Sequence, residues 1–429
     1  DPGFRAEPAD SLFGGVRVDF ETLRNVGRRP PSREVEALSE PAEDRAYVDD
    51  DGTYLPRRYK LRFSPDIVTG AAGYDALYGV QGVTQMLFSD MLGDHRVSIS
   101  TNLLLDLRNS DYIFSYEYLG GRTDWAVSTF HFSRLLADFE DLSSPTYFRY
   151  RQFGARLAAQ WPIDKFRRLE FEAGVLGVSQ ADITDVARPS RTRTLLVPRV
   201  TFTRDKTVPG FLFPVAGSRF AASLSGSPLS LERENILFGT LLVDARTYFS
   251  AARNRLVWAL RLSGATSFGP DKQVFYSSGV QNWINNDFDE VNGFPIEDVT
   301  DFVFATPVMP LRGFDINAAN GSNFALFNAE FRFPMAASLL PGPLFLSRLQ
   351  GVTFLDVGGL WGERGTTGAF KLTSKDATGR SRLDDLLVGS GFGVRTFVLG
   401  FPVRLDLAWP FDGISFGDRT TYLSVGVDF

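Results

Sequence analysis

Few residues of this chain have the types and spacing that chemistry needs. The two histidines, His95 and His131, are far apart and form neither a His-x-x-x-His nor a Glu-x-x-His pair, and there is no cysteine. Imidazole and thiolate metal sites therefore have no ligand set in this sequence. No Gly-x-Ser-x-Gly elbow for acyl transfer is present. Gly389-Ser390-Gly391-Phe392-Gly393 is glycine-rich but fails the dinucleotide fingerprint, because Val394 takes the place of its last glycine. Glycines in such a stretch are expected to permit close packing or bending. Glu170 and Glu172 are carboxylates two residues apart and in principle an acid–base pair. An aqueous interior facing both of them is the simpler account. The acidic stretch Asn285, Asn286, Asp287, Asp289, Glu290, Glu297, Asp298 and Asp301 offers oxygen ligands to Ca²⁺ but lacks the EF-hand spacing. The expectation is a protein that is not an enzyme, with no catalytic residue, no cofactor and no resident metal.

The elements that carry these residues are strands. In Arg404-Leu405-Asp406-Leu407-Ala408-Trp409-Pro410-Phe411 and Tyr422-Leu423-Ser424-Val425-Gly426-Val427-Asp428-Phe429, alternate residues are large and apolar. Successive side chains of a strand point to opposite faces. One face (Leu405, Leu407, Trp409, Phe411; Leu423, Val425, Val427, Phe429) suits hydrocarbon, and the other (Arg404, Asp406; Ser424, Gly426, Asp428) suits water. The same alternation puts Leu241, Val243 and Ala245 opposite Thr240, Asp244 and Arg246. It puts Leu256, Trp258, Leu260 and Leu262 opposite Arg255, Arg261 and Ser263, and Leu169, Phe171, Ala173 and Val175 opposite Glu170, Glu172 and Gly174. A soluble sandwich also alternates, but it buries its apolar face; so many charges on one shared face fit a wet lumen.

The pattern predicts strands at 58–70, 80–91, 95–106, 111–120, 123–133, 147–161, 166–179, 193–204, 216–226, 234–249, 254–266, 323–333, 349–361, 386–398, 402–411 and 420–429. The fold expected is all-β: a transmembrane antiparallel β-barrel of about sixteen strands, an even number as single-chain bacterial barrels have. Closure pairs 420–429 with the first strand near 58–70, and Gly426 is expected to weaken that seam.

Composition agrees. Hydrophobic residues make up 44% of the chain, mean hydropathy is −0.08, and no apolar run is long enough for a spanning helix. Aromatics at 14% suit interfacial girdles. With 45 basic against 51 acidic residues the net charge is −6, which gives no case for nucleic acid. No charged-plus-apolar leader precedes Asp1, so a mature form or a fragment is expected. Residues 1–56, with Pro2, Pro8, Pro30, Pro31, Pro41 and Asp49-Asp50-Asp51, read as an irregular periplasmic extension or linker, and 57–429 as the barrel. Between about 267 and 322 no convincing strand pair occurs; loops of such length are usually functional.

That loop contains Leu311-Arg312-Gly313-Phe314. It is followed by Asn328-Ala329-Glu330-Phe331-Arg332-Phe333-Pro334, then by Gly351-Val352-Thr353-Phe354-Leu355-Asp356-Val357-Gly358-Gly359-Leu360-Trp361 and the strand ending in Phe429. This order resembles the BamA/TamA-like barrels of bacterial outer-membrane assembly and translocation, as do Thr203-Arg204-Asp205, Phe213-Pro214 and Gly217-Ser218-Arg219-Phe220. The resemblance implies a loop folded into the lumen, its Arg312-Gly313-Phe314 tip clamped by Asp356. Glu330 shares an inward face with Asn328 and Arg332 and is an alternative acceptor. It also implies a terminal-strand signal at Tyr422, Leu423, Val425, Val427 and Phe429.

The N-terminus departs from the pattern, since 1–56 encodes no repeated periplasmic module. The segments Tyr54-Leu55-Pro56-Arg57-Arg58-Tyr59 and Phe88-Ser89-Asp90-Met91-Leu92-Gly93-Asp94-His95 look instead like a branch with a TolB-like propeller ahead of the barrel. That propeller is then expected to be cleaved, lost or outside the sequence. The function implied is protein insertion or transport across the outer membrane, through a seam that opens laterally. The alternative is a plugged barrel that anchors a partner or envelope complex; a passive pore ranks third. Expected partners are outer-membrane lipids and lipopolysaccharide, protein clients or envelope-complex subunits.

Overall fold

Period-two alternation builds the molecule. The computed structural model describes residues 59–75, 79–104, 110–138, 146–185, 187–210, 213–230, 236–253, 255–284, 299–335, 349–362, 370–375, 379–398 and 401–426. The expected extension 1–56 therefore lies outside the described residues, as do Val427 and Phe429.

The strands are β1 (Phe63–Asp75), β2 (Gly79–Asp90), β3 (His95–Leu104), β4 (Asp111–Tyr118), β5 (Asp124–Asp138), β6 (Thr146–Asp164) and β7 (Arg167–Asp182). Then come β8 (Arg191–Leu196 continued by Arg199–Asp205), β9 (Gly217–Ser227 continued by Leu229–Ser230), β10 (Phe238–Ala251) and β11 (Leu256–Phe268). The series ends with β12 (Asn323–Pro334), β13 (Gln350–Trp361), β14 (Leu386–Val398), β15 (Phe401–Phe411) and β16 (Thr420–Val425). The 18 segments of the main sheet thus make sixteen staves, each antiparallel to its neighbour in sequence. The first strand begins later than the sequence pattern placed it, at Phe63, and runs on to Asp75.

Strand ends are turned by side chains as well as backbone. Asp164 accepts from the N–H groups of Phe166 and Arg167, and Asp412 from those of Ile414 and Ser415. A short carboxylate bonding its own backbone two or three residues on is what favours aspartate at turns. The outer surface is apolar: Trp125, Phe171, Leu224, Trp258, Leu262 and Leu405 are all exposed. Their inward neighbours, including Asp244, Glu330, Arg332, Asp356 and Arg395, are buried. No described helix is long and apolar enough to cross a membrane; the strands face hydrocarbon instead.

The connection between β11 and β12 fills the interior. Within it Phe275–Ser277 pairs in parallel with Thr306–Val308 and antiparallel with Asn320–Gly321, beside a helical turn, Asp301–Phe304. Against one wall Val299, Val303 and Phe304 pack on Leu176, Val178, Leu195 and Phe238. Against another Val280 and Trp283 pack on Phe354, Ala408 and Tyr422. The loop is a plug.

Among the described residues β16 pairs with β15 and β1 with β2, and no ladder joins β1 to β16.

Candidate functional site

Register decides which side chains meet in the lumen. Asn328 on β12 stands opposite Asp356 on β13, and Asp356 opposite Gly389 on β14. One row away Glu330 is opposite Phe354, and Phe354 opposite Gly391. Further along, Asp406 on β15 faces Gly393 on one side and Tyr422 on the other. The inward face of β12–β16 therefore presents three carboxylates along a floor of glycine. The three glycines make room that no other residue would leave. An added Cβ would come 1.8 Å from the Arg312 carbonyl oxygen at Gly389, 2.0 Å from the Leu407 oxygen at Gly391 and 1.9 Å from Asp406 Oδ1 at Gly393. Gly389 is thus a seat for the loop, while Gly391 and Gly393 let β15 and the buried Asp406 pack closely on β14.

The loop tip descends into that seat. Leu311 is fully buried with Phe275, Val308, Phe324, Leu326 and Leu360, and Phe314 packs against the same cluster. The Leu311 N–H donates to the Gly279 carbonyl at 2.8 Å. Gly313 turns the chain at φ 99° and lies against Pro410 of β15, a conformation and a closeness that favour glycine. Arg312 is consequently projected between two carboxylates. Its Nε donates to Asp356 Oδ2 at 2.7 Å and its Nη2 to Asp356 Oδ1 at 2.8 Å, a bidentate fork. Its backbone N–H adds a third bond to Asp356, at 3.1 Å. Nη1 donates to Glu330 Oε1 at 2.8 Å, and the guanidinium carbon sits 3.5 Å above the centre of the Phe354 ring. The sequence left Asp356 and Glu330 as alternatives; the guanidinium holds both.

The network extends beyond the tip. Asn328 Nδ2 donates to Asp356 Oδ1 and to the Pro310 carbonyl, both at 2.8 Å. Arg332 bridges to Glu330 at 2.7 Å and stacks on Phe213 from the turn between β8 and β9. Arg395 donates to Asp406 at 2.6 Å. Arg312, Arg332, Arg395 and Arg404 are all buried with Glu330, Asp356 and Asp406. Guanidinium groups outnumber carboxylates there, so the cluster is already charge-compensated and does not favour an added cation. Among the described residues no group of three or more His, Cys, Asp or Glu side chains could hold a metal. Residues 285–298, the acidic stretch weighed for Ca²⁺, lie outside the described residues, while Asp301 is buried.

The other residues singled out do not converge. His95 Nδ1 meets the Tyr116 hydroxyl at 2.6 Å on β3 and β4, and His131 Nδ1 meets the Ser110 carbonyl at 2.9 Å. Glu170 pairs with Arg168, and Glu172 with Arg156 at 3.6 Å. Each is an ion pair on an inward wall.

The terminal strand divides. Leu423 faces outward and Val425 is half-buried. Tyr422 points the other way and is fully buried. Its hydroxyl accepts from the Gly313 N–H at 2.8 Å and donates to the Phe314 carbonyl at 2.9 Å. Sequence reading placed Tyr422 only in a strand signal. The clue was its parity: it shares the inward face with Ser424, and a large aromatic facing a lumen needs something inside to pack on.

Comparisons with known proteins agree with the fold. The Omp85 superfamily domain matches residues 96–429. Among solved structures the chain is similar to BamA from Haemophilus ducreyi lacking POTRA domains 1–3, with a TM-score of 0.56 at 12% identity, over 86% of this chain and 70% of that one. CdiB from Acinetobacter baumannii gives 0.46 at 13% identity, covering 87% and 60%, and CdiB from Escherichia coli 0.45 at 13%, covering 88% and 64%. The likeness to BamA is one of fold. No curated relative matches at the level of sequence.

Proposed function

Because this chain belongs to the Omp85 superfamily, the outer-membrane barrels of protein assembly and translocation, we propose that it inserts or transports proteins at the bacterial outer membrane through the β1–β16 seam. In this reading 57–429 is the working barrel and 1–56 its periplasmic link. The Arg312 clamp holds the interior loop in place while the seam works. Lipid and lipopolysaccharide surround the barrel, and protein clients are its cargo.

The observation that carries the reading is the match of the Omp85 superfamily domain to residues 96–429, on a sheet of sixteen staves around an interior loop. The anchoring reading has its own support in the plug that touches both walls of the lumen.

The test is reconstitution. Lipid vesicles with and without the protein receive an unfolded outer-membrane barrel, and its folding is followed by heat-dependent gel mobility. Faster folding with the protein, and accumulation of unassembled barrels when cells are depleted of it, are expected. No change in either sinks the insertion role and leaves the anchoring role standing.

A further inference from the structure

The edge of β16 away from β15 is met by the chain itself. Alternate residues of an antiparallel strand address opposite neighbours. Tyr422 and Ser424 stand opposite Asp406 and Arg404 of β15, and Gly426 N–H bonds to Pro402. Leu423 and Val425 thus turn their carbonyls outward, toward the place of β1. Leu423 accepts there from the Ile284 N–H at 2.8 Å, and Val425 from Asn282 Nδ2 at 2.9 Å. Trp283 lies between them, bridged antiparallel to Ser424, its ring 4.5 Å from that of Tyr422. Arg404 Nη2 fixes the start of the segment by donating to the Gln281 carbonyl at 2.7 Å. Asn282 adopts φ 54°, a left-handed conformation that asparagine tolerates better than most residues.

We propose that residues 281–284 are a built-in pseudo-strand, an autoinhibitory contact that occupies the pairing edge of β16 and keeps any other strand off it until released. The device rests on the seam reading above and says how that seam is regulated. A first strand closing the barrel, or an incoming strand, needs the same two carbonyls. An unsatisfied edge in hydrocarbon is costly, so the edge is handed from one donor strand to another and never left bare. Tyr422 links the device to the clamp: its ring packs on Trp283 and its hydroxyl holds Gly313 and Phe314.

Cysteine crosslinking in this cysteine-free chain, in isolated outer membranes, tests it. Ile284→Cys with Leu423→Cys, residues opposite each other beside the bridge, should form an intramolecular disulfide in the resting protein. Leu423→Cys with cysteines placed singly from Phe63 to Val68 on β1 should crosslink poorly. Adding Asn282→Gly, which suits the backbone and removes the side-chain donor, together with Ile284→Pro, which removes the N–H, should raise the β1–β16 yield about tenfold, as befits two lost hydrogen bonds. Asn282→Gly alone should give a smaller rise, and heat-dependent mobility verifies that each variant is folded. Absence of the 284–423 disulfide, or a β1–β16 yield unmoved in folded variants, overturns the proposal. These readouts need no client. A normal crosslinking pattern beside a failed insertion assay would refute the insertion role and spare the pseudo-strand, and the reverse pair of results would do the opposite.

Discussion

Replacing Arg312 with alanine should undock the loop without unfolding the barrel. The side chain supplies two of the four donors on Asp356; Asn328 Nδ2 and the backbone N–H of position 312 remain. Glu330 loses one donor and keeps Arg332. Removing one partner of a buried ion pair costs about 3–5 kcal/mol, because a charge is left buried and unpaired. The surviving donors place the effect at the lower end, about 3 kcal/mol, which multiplies the undocked population by about a hundred. Arg312→Lys should fall between, since an ammonium satisfies one carboxylate and cannot fork across two. Hydrogen–deuterium exchange of residues 306–320 in the folded, detergent-solubilised protein reads the undocking, and heat-dependent gel mobility reads the barrel. A double-mutant cycle of Arg312→Ala with Asp356→Ala should show coupling of about 0.5–3 kcal/mol. Exchange unchanged in the single variant, or strictly additive effects in the cycle, would refute the clamp.

Three further outcomes follow from the same geometry. Gly389→Ala puts a Cβ 1.8 Å from the Arg312 carbonyl oxygen, so exchange in the loop should rise by the equivalent of about 1–3 kcal/mol of overpacking. Gly121→Ala, whose nearest contact would be 3.6 Å, should leave it unchanged. Tyr422→Phe removes a buried hydroxyl bonded to Gly313 and Phe314 and should cost about 1–3 kcal/mol, read as faster exchange at the Gly313 amide; no acceleration there would place the loop's support elsewhere. Leu262→Arg, at the middle of β11 and facing outward, should destabilise the barrel in lipid by about 2–4 kcal/mol, whereas Ser223→Arg on the inward face of β9 should be milder. Equal losses at the two positions would undo the facing assignment.

The strands were legible because a membrane barrel writes its two solvents into alternate residues. Leu262 and Arg261 sit on the faces that parity gives them, and all sixteen staves lie near their expected places. The clamp was legible only through resemblance. Nothing in the spacing from Arg312 to Asp356 shows that they meet, because the contact depends on how a loop of more than fifty residues folds back. Even then the resemblance named Asp356 first and Glu330 only as a further acceptor, whereas the guanidinium has enough donors for both and uses them. The joining of 281–284 to β16 was out of reach for another reason. Backbone donors and acceptors are the same in every residue, so a single bridge leaves no mark on side-chain pattern. The expectation of β1–β16 pairing came from a general cost, that of a bare edge in lipid, which says nothing of a loop segment beside the same edge.

The two loop contacts differ in strength, and the difference sets an order of events. The clamp is buried, bidentate and shared among three carboxylate-bearing strands, β12, β13 and β15. Breaking it leaves charges without solvent, which is the expensive kind of loss. The pseudo-strand contributes two edge hydrogen bonds beside the outward-facing Ile284, each with a net worth of about 0.5–1.5 kcal/mol. A strand arriving at the seam replaces those bonds one for one, so the exchange is nearly neutral for the edge and leaves the clamp intact. Tyr422 belongs to both contacts, and its place on the last strand means that a movement of β16 is felt at Gly313 before any charge is uncovered. If 281–284 guards the seam as proposed, the seam is released first and the lumen only afterwards.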